Sequence, residues 1–448
     1  MLRQSLGNIV STDSGELEAA RADKSGHIAS GTPVAVVNAR STDDVQATMR
    51  IAHETHTPVV VRGAGTGLAG GAIASDGEIV LSTMSMTRVL EIAIDDELAV
   101  VEPGIINADL NAILAEKGLW FAPDPASRAI STIGGNIATN AGGLLCAKYG
   151  VTRESVLGLK VVLADGRLLT LGHRTVKGVT GLDLTALMIG SEGTLGVIVE
   201  ATLKLRRVVD GATPTIGAWF ANVEDAARAA SVITSSGTRP AIMELIDHEA
   251  MLSITDYLAL EPHDGAFLLV QTDGPGGETE ARAAMAIIRS LDGEAELTTD
   301  PIEAARLLAI RRAFHPSLEA RGTVLIEDVC VPRSALPAMF AAITDIAATH
   351  SVSIPTVAHA GDGNLHPNFV FDRDPNQPDD VPERVWAAAD EMFLAALRLG
   401  GTLTGEHGIG ILKKRWLLDE LGSDQLDLQR EIKRVFDPLG ILNPGKVF

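Results

Sequence analysis

Three glycine-rich runs set the tightest limit on what this chain can fold into. The first, Arg62-Gly63-Ala64-Gly65-Thr66-Gly67-Leu68-Ala69-Gly70-Gly71, follows the apolar run Pro58–Val61. The second is Ser131-Thr132-Ile133-Gly134-Gly135-Asn136-Ile137-Ala138-Thr139-Asn140-Ala141-Gly142-Gly143, and the third is Gly190-Ser191-Glu192-Gly193-Thr194-Leu195-Gly196-Val197-Ile198. Consecutive residues without Cβ leave their N–H groups bare, so the backbone can wrap an anionic group closely. Any one run reads equally well as a tight turn of a β-rich domain. Three in one stretch of chain, each with Ser, Thr or Asn beside glycine, favour a large phosphate-bearing ligand. Read from Gly65, the first run also fits G-x-G-x-x-G, which must open a helix inside a βαβ unit. Only Ala72–Gly77 lie between it and the next β-rich run at Glu78, leaving no room for that helix. The Rossmann reading fails.

The surroundings agree with a large soluble domain. Short β-rich runs alternate with turns from about Pro33 to Leu205: Pro58–Arg62, Glu78–Ser82, Leu98–Val101, Val156–Leu163 and Val197–Leu205. One helix, Asp109–Lys117, interrupts them. From Pro214 to about Asp300 the pattern becomes strand, helix, strand, strand, helix, strand, a ferredoxin-like order. Its strands are Ile216–Phe220, Ala241–Ile246 and Phe267–Thr272, and its helices Glu224–Ser235 and Glu278–Leu291. Beyond Pro301 come a helix carrying Arg311 and Arg312, a strand Thr323–Val331, a helix Ser334–Thr349, a His-rich strand pair ending at Phe371 and a helix Val381–Leu399. Leu442–Phe448 closes on a turn. With 58 acidic against 37 basic residues and a net charge of −21, nucleic acid is excluded as the main partner. Two cysteines, Cys146 and Cys330, can neither build a disulfide framework nor hold an iron–sulfur cluster alone. Met1–Asp23 lacks the apolar run of a signal peptide, and no window is apolar enough to span a membrane. These features suggest the cytoplasm.

The densest chemical signal is His359-Ala360-Gly361-Asp362-Gly363-Asn364-Leu365-His366, joined later by Gly405-Glu406-His407-Gly408. Two imidazoles and a carboxylate are a common ligand set for a divalent metal with open positions. The glycines let the backbone fold tightly enough for both imidazoles to converge, and Asp362 and Asn364 are placed to orient them. Either histidine alone would read as a loop residue. Two Gly-flanked clusters tip the balance toward metal. Which of Glu406 and His407 would be the ligand stays open on the residues themselves.

In this order the three glycine runs resemble the FAD-binding domain of flavoproteins of the vanillyl-alcohol oxidase type. The resemblance is closest to the D-2-hydroxyacid dehydrogenases: D-lactate dehydrogenase, D-2-hydroxyglutarate dehydrogenase and the FAD subunit of glycolate oxidase. It extends from about Pro33 to Phe448. It implies an α+β fold, with a two-subdomain FAD-binding domain over 1–207 (core from about Pro33). An α+β cap domain with ferredoxin-like elements would take 208–412, and 413–448 would return to the FAD domain. In the family the first run, here Arg62, Gly63, Ala64, Gly65, Thr66, Gly67 and Leu68, binds the pyrophosphate. Pro123 and Asp124 line the cofactor. So do Thr132, Ile133, Gly134, Gly135, Asn136, Ala138, Thr139, Asn140 and Gly142 of the second run, Glu192, Gly193, Gly196 and Ile198 of the third, and Asn443 and Lys446 in the tail. His359, His366 and Glu406 match the metal ligands, for zinc or manganese. Asn368 matches a substrate-side residue and His407 the active-site base.

Counted back from Asp328-Val329-Cys330-Val331-Pro332, the family's carboxylate-binding arginine is Arg311. A guanidinium grips a carboxylate bidentately, although a solvated helix face is the commoner fate of an arginine pair. Relatives that act on 2-hydroxyglutarate carry a lysine two residues before the Asp of this motif, where this chain has Ile326. The resemblance therefore implies oxidation of a monocarboxylic D-2-hydroxy acid, such as D-lactate or glycolate, by hydride transfer to flavin. An external acceptor (an electron-transfer protein, quinone or cytochrome) would take the electrons, either in the cytoplasm or at the membrane periphery. Two variants stay open: an FAD subunit of a glycolate oxidase-like complex with an iron–sulfur partner, and a D-2-hydroxyglutarate dehydrogenase. Outside this class stands a metal-dependent hydrolase.

Some relatives bond flavin covalently through a histidine in the first run or a cysteine just before the second. No histidine lies between Arg62 and Gly71, and Ile130 precedes the second run. All FAD should therefore pass into the supernatant when purified protein is precipitated with acid. Flavin retained in the washed pellet would contradict non-covalent binding.

Overall fold

The apolar runs between Pro33 and Leu205 build two separate sheets. The structure, a computed structural model, describes residues 1–209, 211–372 and 381–448. It divides into two units: Met1–Gly143, Gly150–Val208 and Glu406–Phe448 in the first, Leu144–Tyr149 and Val209–Gly405 in the second.

In the first unit, Val10–Ser11, Ala35–Asn38, Ile79–Ser82 and Val59–Arg62 form one sheet in that order. The last three are parallel neighbours, and Val10–Ser11 joins antiparallel. The second sheet is antiparallel, in the order Val89–Ala93, Leu98–Val101, Val197–Lys204, Val156–Val162, Leu168–Gly172. One core, with Val37, Val59, Leu81 and Leu442, also takes in Val197 from the second sheet; the other holds Val101, Leu110, Phe121, Ile137 and Leu203. This is the two-subdomain arrangement expected.

Between Pro33 and Leu205, three helices of this unit depart from the expectation of a single one. Thr42–Thr55 is capped by Ser41, whose Oγ accepts from the Asp44 N–H, and buries Val45, Met49 and Ala52 at helical spacing. Leu184–Met188 is shorter and capped by Asp183. The third lies inside the second glycine run. Ile133–Thr139 coils because Thr132 caps it and Ile133 and Ile137 reach the core on one face, so that run is half loop and half helix. The expected helix runs over Asn107–Ala115.

The second unit carries an antiparallel sheet in the order Glu294–Thr298, Thr215–Phe220, Ala266–Gln271, Ile242–Ile246, Thr356–His359, Asn364–Phe371, Thr323–Ile326. The first four strands, numbered along the chain, lie 4-1-3-2, as the ferredoxin-like pattern requires. An unexpected helix, His248–Leu258, stands between the second and third. The helices Val223–Ser235, Gly277–Ser290, Pro301–Arg312, Leu336–His350 and Glu383–Arg398 follow the sequence reading closely. The strand expected over Thr323–Val331 is broken into Thr323–Ile326 and Val329–Cys330. Glu327 and Asp328 are buried there, and a buried carboxylate needs donors that a regular ladder does not offer it.

Leu144–Tyr149, directly after the second glycine run, is part of this unit. The Tyr149 hydroxyl donates to Asp273 Oδ2 at 2.5 Å, and Lys148 pairs with the same carboxylate. Among the described residues, no helix is long and apolar enough to cross a membrane.

Candidate functional site

The first unit brings the three glycine runs together. A Cβ on Gly63 would lie 2.5 Å from Thr132 Oγ1, so the first run touches the cap of the second at a distance only glycine permits. Thr132 Oγ1 accepts from the Gly135 N–H at 3.1 Å. The third run joins through its backbone: the Glu192 N–H donates to Ala138 O at 2.8 Å and the Gly190 N–H to Ile137 O at 3.0 Å. Pro123 and Asp124 stand at the same place. Asn107 Nδ2 donates to Pro123 O and to Asn136 Oδ1, and a Cβ on Gly143 would meet Asp124 O at 2.4 Å. Gly196 and Ile198 lie deeper, where Gly196 makes room for Val161 and Ile198 packs into the core.

Several polar side chains of this set are spent on holding the runs. Arg62 donates to Ala72 O and Ala22 O, and burial lowers its pKa. Asn443 Nδ2 donates to Gly71 O at 3.0 Å and Glu192 O at 2.6 Å. Lys446 Nζ donates to Ile73 O at 2.6 Å and Asn443 Oδ1 at 2.8 Å, and burial brings its ammonium down to about 8. The Glu192 carboxylate accepts from the Ile409 and Gly410 N–H groups. Burial pushes this carboxyl up to about 7, while the two N–H donors and Lys413 pull the other way. Glu406 and His407 also belong to this unit, with His407 Nε2 3.9 Å from Glu406 Oε1.

In the second unit, the adjacent strands Thr356–His359 and Asn364–Phe371 carry the histidine pair. His359 and His366 are buried, their ring centroids 4.9 Å apart and nearly perpendicular. His359 Nδ1 donates to Glu244 Oε1 at 2.7 Å, and Arg311 Nε donates to Glu244 Oε2 at 2.6 Å. One fully buried carboxylate thus fixes both an imidazole and a guanidinium. Arg312, beside it, is exposed. Asp328 Oδ1 accepts from Asn364 Nδ2, and its Oδ2 accepts from Thr404 Oγ1 and the Gly405 N–H. Asn364 thus holds Asp328, whose Oδ1 lies 3.9 Å from His366 Nδ1. Asn368 is fully buried and pairs in register with Ile326; its Nδ2 donates to His366 O.

Comparison with known proteins assigns the chain. Residues 33–172 match the FAD binding domain, and residues 210–447 match the C-terminal domain of FAD linked oxidases. The chain belongs to the FAD-linked oxidase family. Among its relatives are the glycolate oxidase subunit GlcD of Bacillus subtilis, 42% identical over 93% of this chain and 89% of that protein, and the GlcD of Escherichia coli K12, 34% identical over 92% and 83%. The D-lactate dehydrogenase of Archaeoglobus fulgidus is 34% identical over 92% of this chain and 90% of that one. In fold it resembles p-cresol methylhydroxylase, with a TM-score of 0.77 at 17% identity over 99% of this chain and 95% of that chain.

In this FAD-linked oxidoreductase the three glycine runs converge within the first unit, and the first two fall inside the segment that matches the FAD binding domain. A Cβ on Gly63 would meet Thr132 Oγ1, one on Gly71 Glu192 Oε2 and one on Gly143 Asp124 O, so glycine at all three lets the runs approach closely and keeps their own N–H groups uncovered by a side chain. A diphosphate is bound best by such a surface of N–H groups. The sequence reading did not find Glu244, Asp328 or Asn107. Glu244 did leave a signal: it is the lone charge in the apolar strand Ile242–Ile246, and a carboxylate on a buried strand needs partners.

Gly63→Ala should weaken FAD binding by about tenfold or more, equivalent to about 1.4 kcal/mol, because the new methyl displaces Thr132. Adding Thr132→Ala, which removes the obstructing oxygen, should recover part of the loss. The ratio of flavin to protein absorbance across an FAD titration reads both.

Proposed function

We propose that this FAD-linked oxidoreductase oxidises a monocarboxylic D-2-hydroxy acid to the 2-oxo acid, with a divalent metal held by His359, His366 and Glu406. The observation that carries this reading is the buried Arg311–Glu244–His359 chain. Glu244 accepts from Nδ1 of His359, which makes Nε2 the nitrogen a metal would take and raises its basicity. The same carboxylate holds Arg311, the guanidinium suited to a substrate carboxylate. The relatives named for glycolate oxidase and D-lactate dehydrogenase support the substrate class.

When bound, FAD supplies the hydride acceptor for the carbon that carries the hydroxyl. Zinc or manganese at the histidine pair would supply positive charge that lowers the hydroxyl's pKa. Arg311 grips the carboxylate and decides which face of the carbon is presented. His407 takes the hydroxyl proton on a ring nitrogen. Asn368 stands on the strand of His366, on the same face, as a hydrogen-bonding residue toward the substrate. The electrons leave to an external acceptor. Since the GlcD relatives are named as subunits, an iron–sulfur partner protein is part of this proposal.

D-Lactate or another D-monocarboxylate should reduce the flavin with a higher kcat/KM than D-2-hydroxyglutarate. Ile326 pairs with Asn368 and offers no cation to a second carboxylate, and burying a charge without a partner costs several kcal/mol. Anaerobic reduction across a panel of D- and L-2-hydroxy acids tests this, and a clear preference for the dicarboxylate would refute it.

Glu406→Ala should lower bound metal, and activity with it, while FAD stays in place. His407→Ala should keep metal and FAD but slow flavin reduction by about 10²–10⁴-fold at saturating substrate, the usual cost of losing a general base. Metal analysis beside stopped-flow reduction decides; metal lost from the His407 variant and kept in the Glu406 variant would exchange the two roles.

A further inference from the structure

The segment that carries Glu406 and His407 has no regular structure. From Leu403 to Ile409 the backbone is in neither helix nor strand. Such a segment must find partners for its N–H groups elsewhere, and those partners fix its position. Two of them come from one residue. Glu192 Oε1 accepts from the Ile409 N–H at 2.7 Å and Oε2 from the Gly410 N–H at 2.9 Å, across 217 and 218 positions of sequence.

Glu192 is itself held on every side within the first unit. Its own N–H donates to Ala138 O, and its carbonyl accepts from Asn443 Nδ2. Its backbone is left-handed, with φ of 49°, which a residue other than glycine adopts only where the surroundings impose it. Two glycines make room for the carboxylate: a Cβ on Gly71 would lie 2.9 Å from Oε2, and one on Gly408 2.8 Å from Oε1. Gly410, beyond it, passes against Ala69, and Ala69 O accepts from the Ile411 N–H. The second glycine run and the tail therefore hold the Glu192 backbone, and the segment after His407 meets its side chain.

We infer that Glu192 is a positioning residue, a two-pronged clamp that holds the backbone after His407 in place. The family resemblance would place Glu192 among the residues lining the cofactor; here its carboxylate is spent on the Ile409 and Gly410 amides. The consequence for catalysis rests on the proposed role of His407 as base, whereas the clamp itself does not.

Glu192→Gln tests it. The variant keeps size and shape but turns one acceptor into an NH2 donor facing an N–H. In the holoenzyme, hydrogen exchange of the Ile409 and Gly410 amides should speed up by about tenfold or more while FAD content stays at the wild-type level. The rate of flavin reduction by saturating D-hydroxy acid should fall about 10–100-fold with KM within about twofold. Combined with His407→Ala, the substitution should slow the reaction little further, since residues acting as one unit are not additive. Glu192→Asp, which keeps the charge but cannot span both amides, should give the same pattern and serves if the glutamine variant fails to fold.

Unchanged exchange at both amides would overturn the clamp, and so would loss of FAD with the amides still protected, which would make Glu192 a cofactor ligand. Additive rate losses would overturn its action through His407. If His407→Ala alone leaves flavin reduction untouched, the base assignment is what fails, and the amide exchange still upholds or overturns the clamp.

Discussion

The first glycine run is completed by a segment near the other end of the chain. Val59, just before that run, donates its N–H to Ile441 O and accepts the Asn443 N–H, so Leu442 lies beside it like one more parallel strand residue. Asn443 then binds Gly71 O from 372 positions away. A buried amide left without these partners would cost about 1–3 kcal/mol, and several are involved. The tail thus supplies hydrogen-bond partners at both ends of the run. Closing contacts at such sequence separation is slow, because chain entropy is lost before any contact is gained. The tail is held in its turn by Asp437, whose carboxylate accepts from the Ile441 and Leu442 N–H groups and pairs with Lys433.

Asp437 belongs to a wider pattern. Several of the buried acidic residues gather donors from irregular backbone or from neighbouring side chains. Glu192 takes two amides, Asp328 an amide, an asparagine and a threonine, and Glu102 the Arg88 amide and guanidinium. Asp247 caps the helix His248–Leu258 and accepts from the Thr356 N–H, with burial pushing its carboxyl up to about 8. A carboxylate is the side chain best able to serve two or more N–H groups at once. Its burial is tolerable only where those donors exist. These residues build loops, which helices and strands cannot do for themselves.

That pattern also explains what could be read from the residues. Strands of the second unit were legible as apolar runs with turn residues between them, and Arg311, His359 and His366 fell where their elements were expected. The glycine runs were legible because glycine repeats are rare and have few physical causes. The helix Thr42–Thr55 had a readable cap at Ser41 and apolar residues at Val45, Met49 and Ala52, so its omission was a missed signal. The break at Glu327–Asp328 was not legible, because the partners of Asp328 lie at Asn364, Thr404 and Gly405. The same holds for Asn443 and Lys446: a local pattern marks them as polar, but which distant carbonyl they bind is set by the fold.

The charge balance bears on the metal as well. A net charge of −21 repels an anionic substrate, yet salt screens that field beyond about 8 Å, so the charges beside the substrate decide. In the second unit, one guanidinium, Arg311, stands among two buried carboxylates, Glu244 and Asp328, and two imidazoles. Arg311 is already matched by Glu244. A substrate carboxylate brought to Arg311, as proposed, would add negative charge to a group whose guanidinium already faces Glu244, and a hydroxyl about to lose its proton would add more. The divalent ion proposed at the histidine pair would offset that added negative charge.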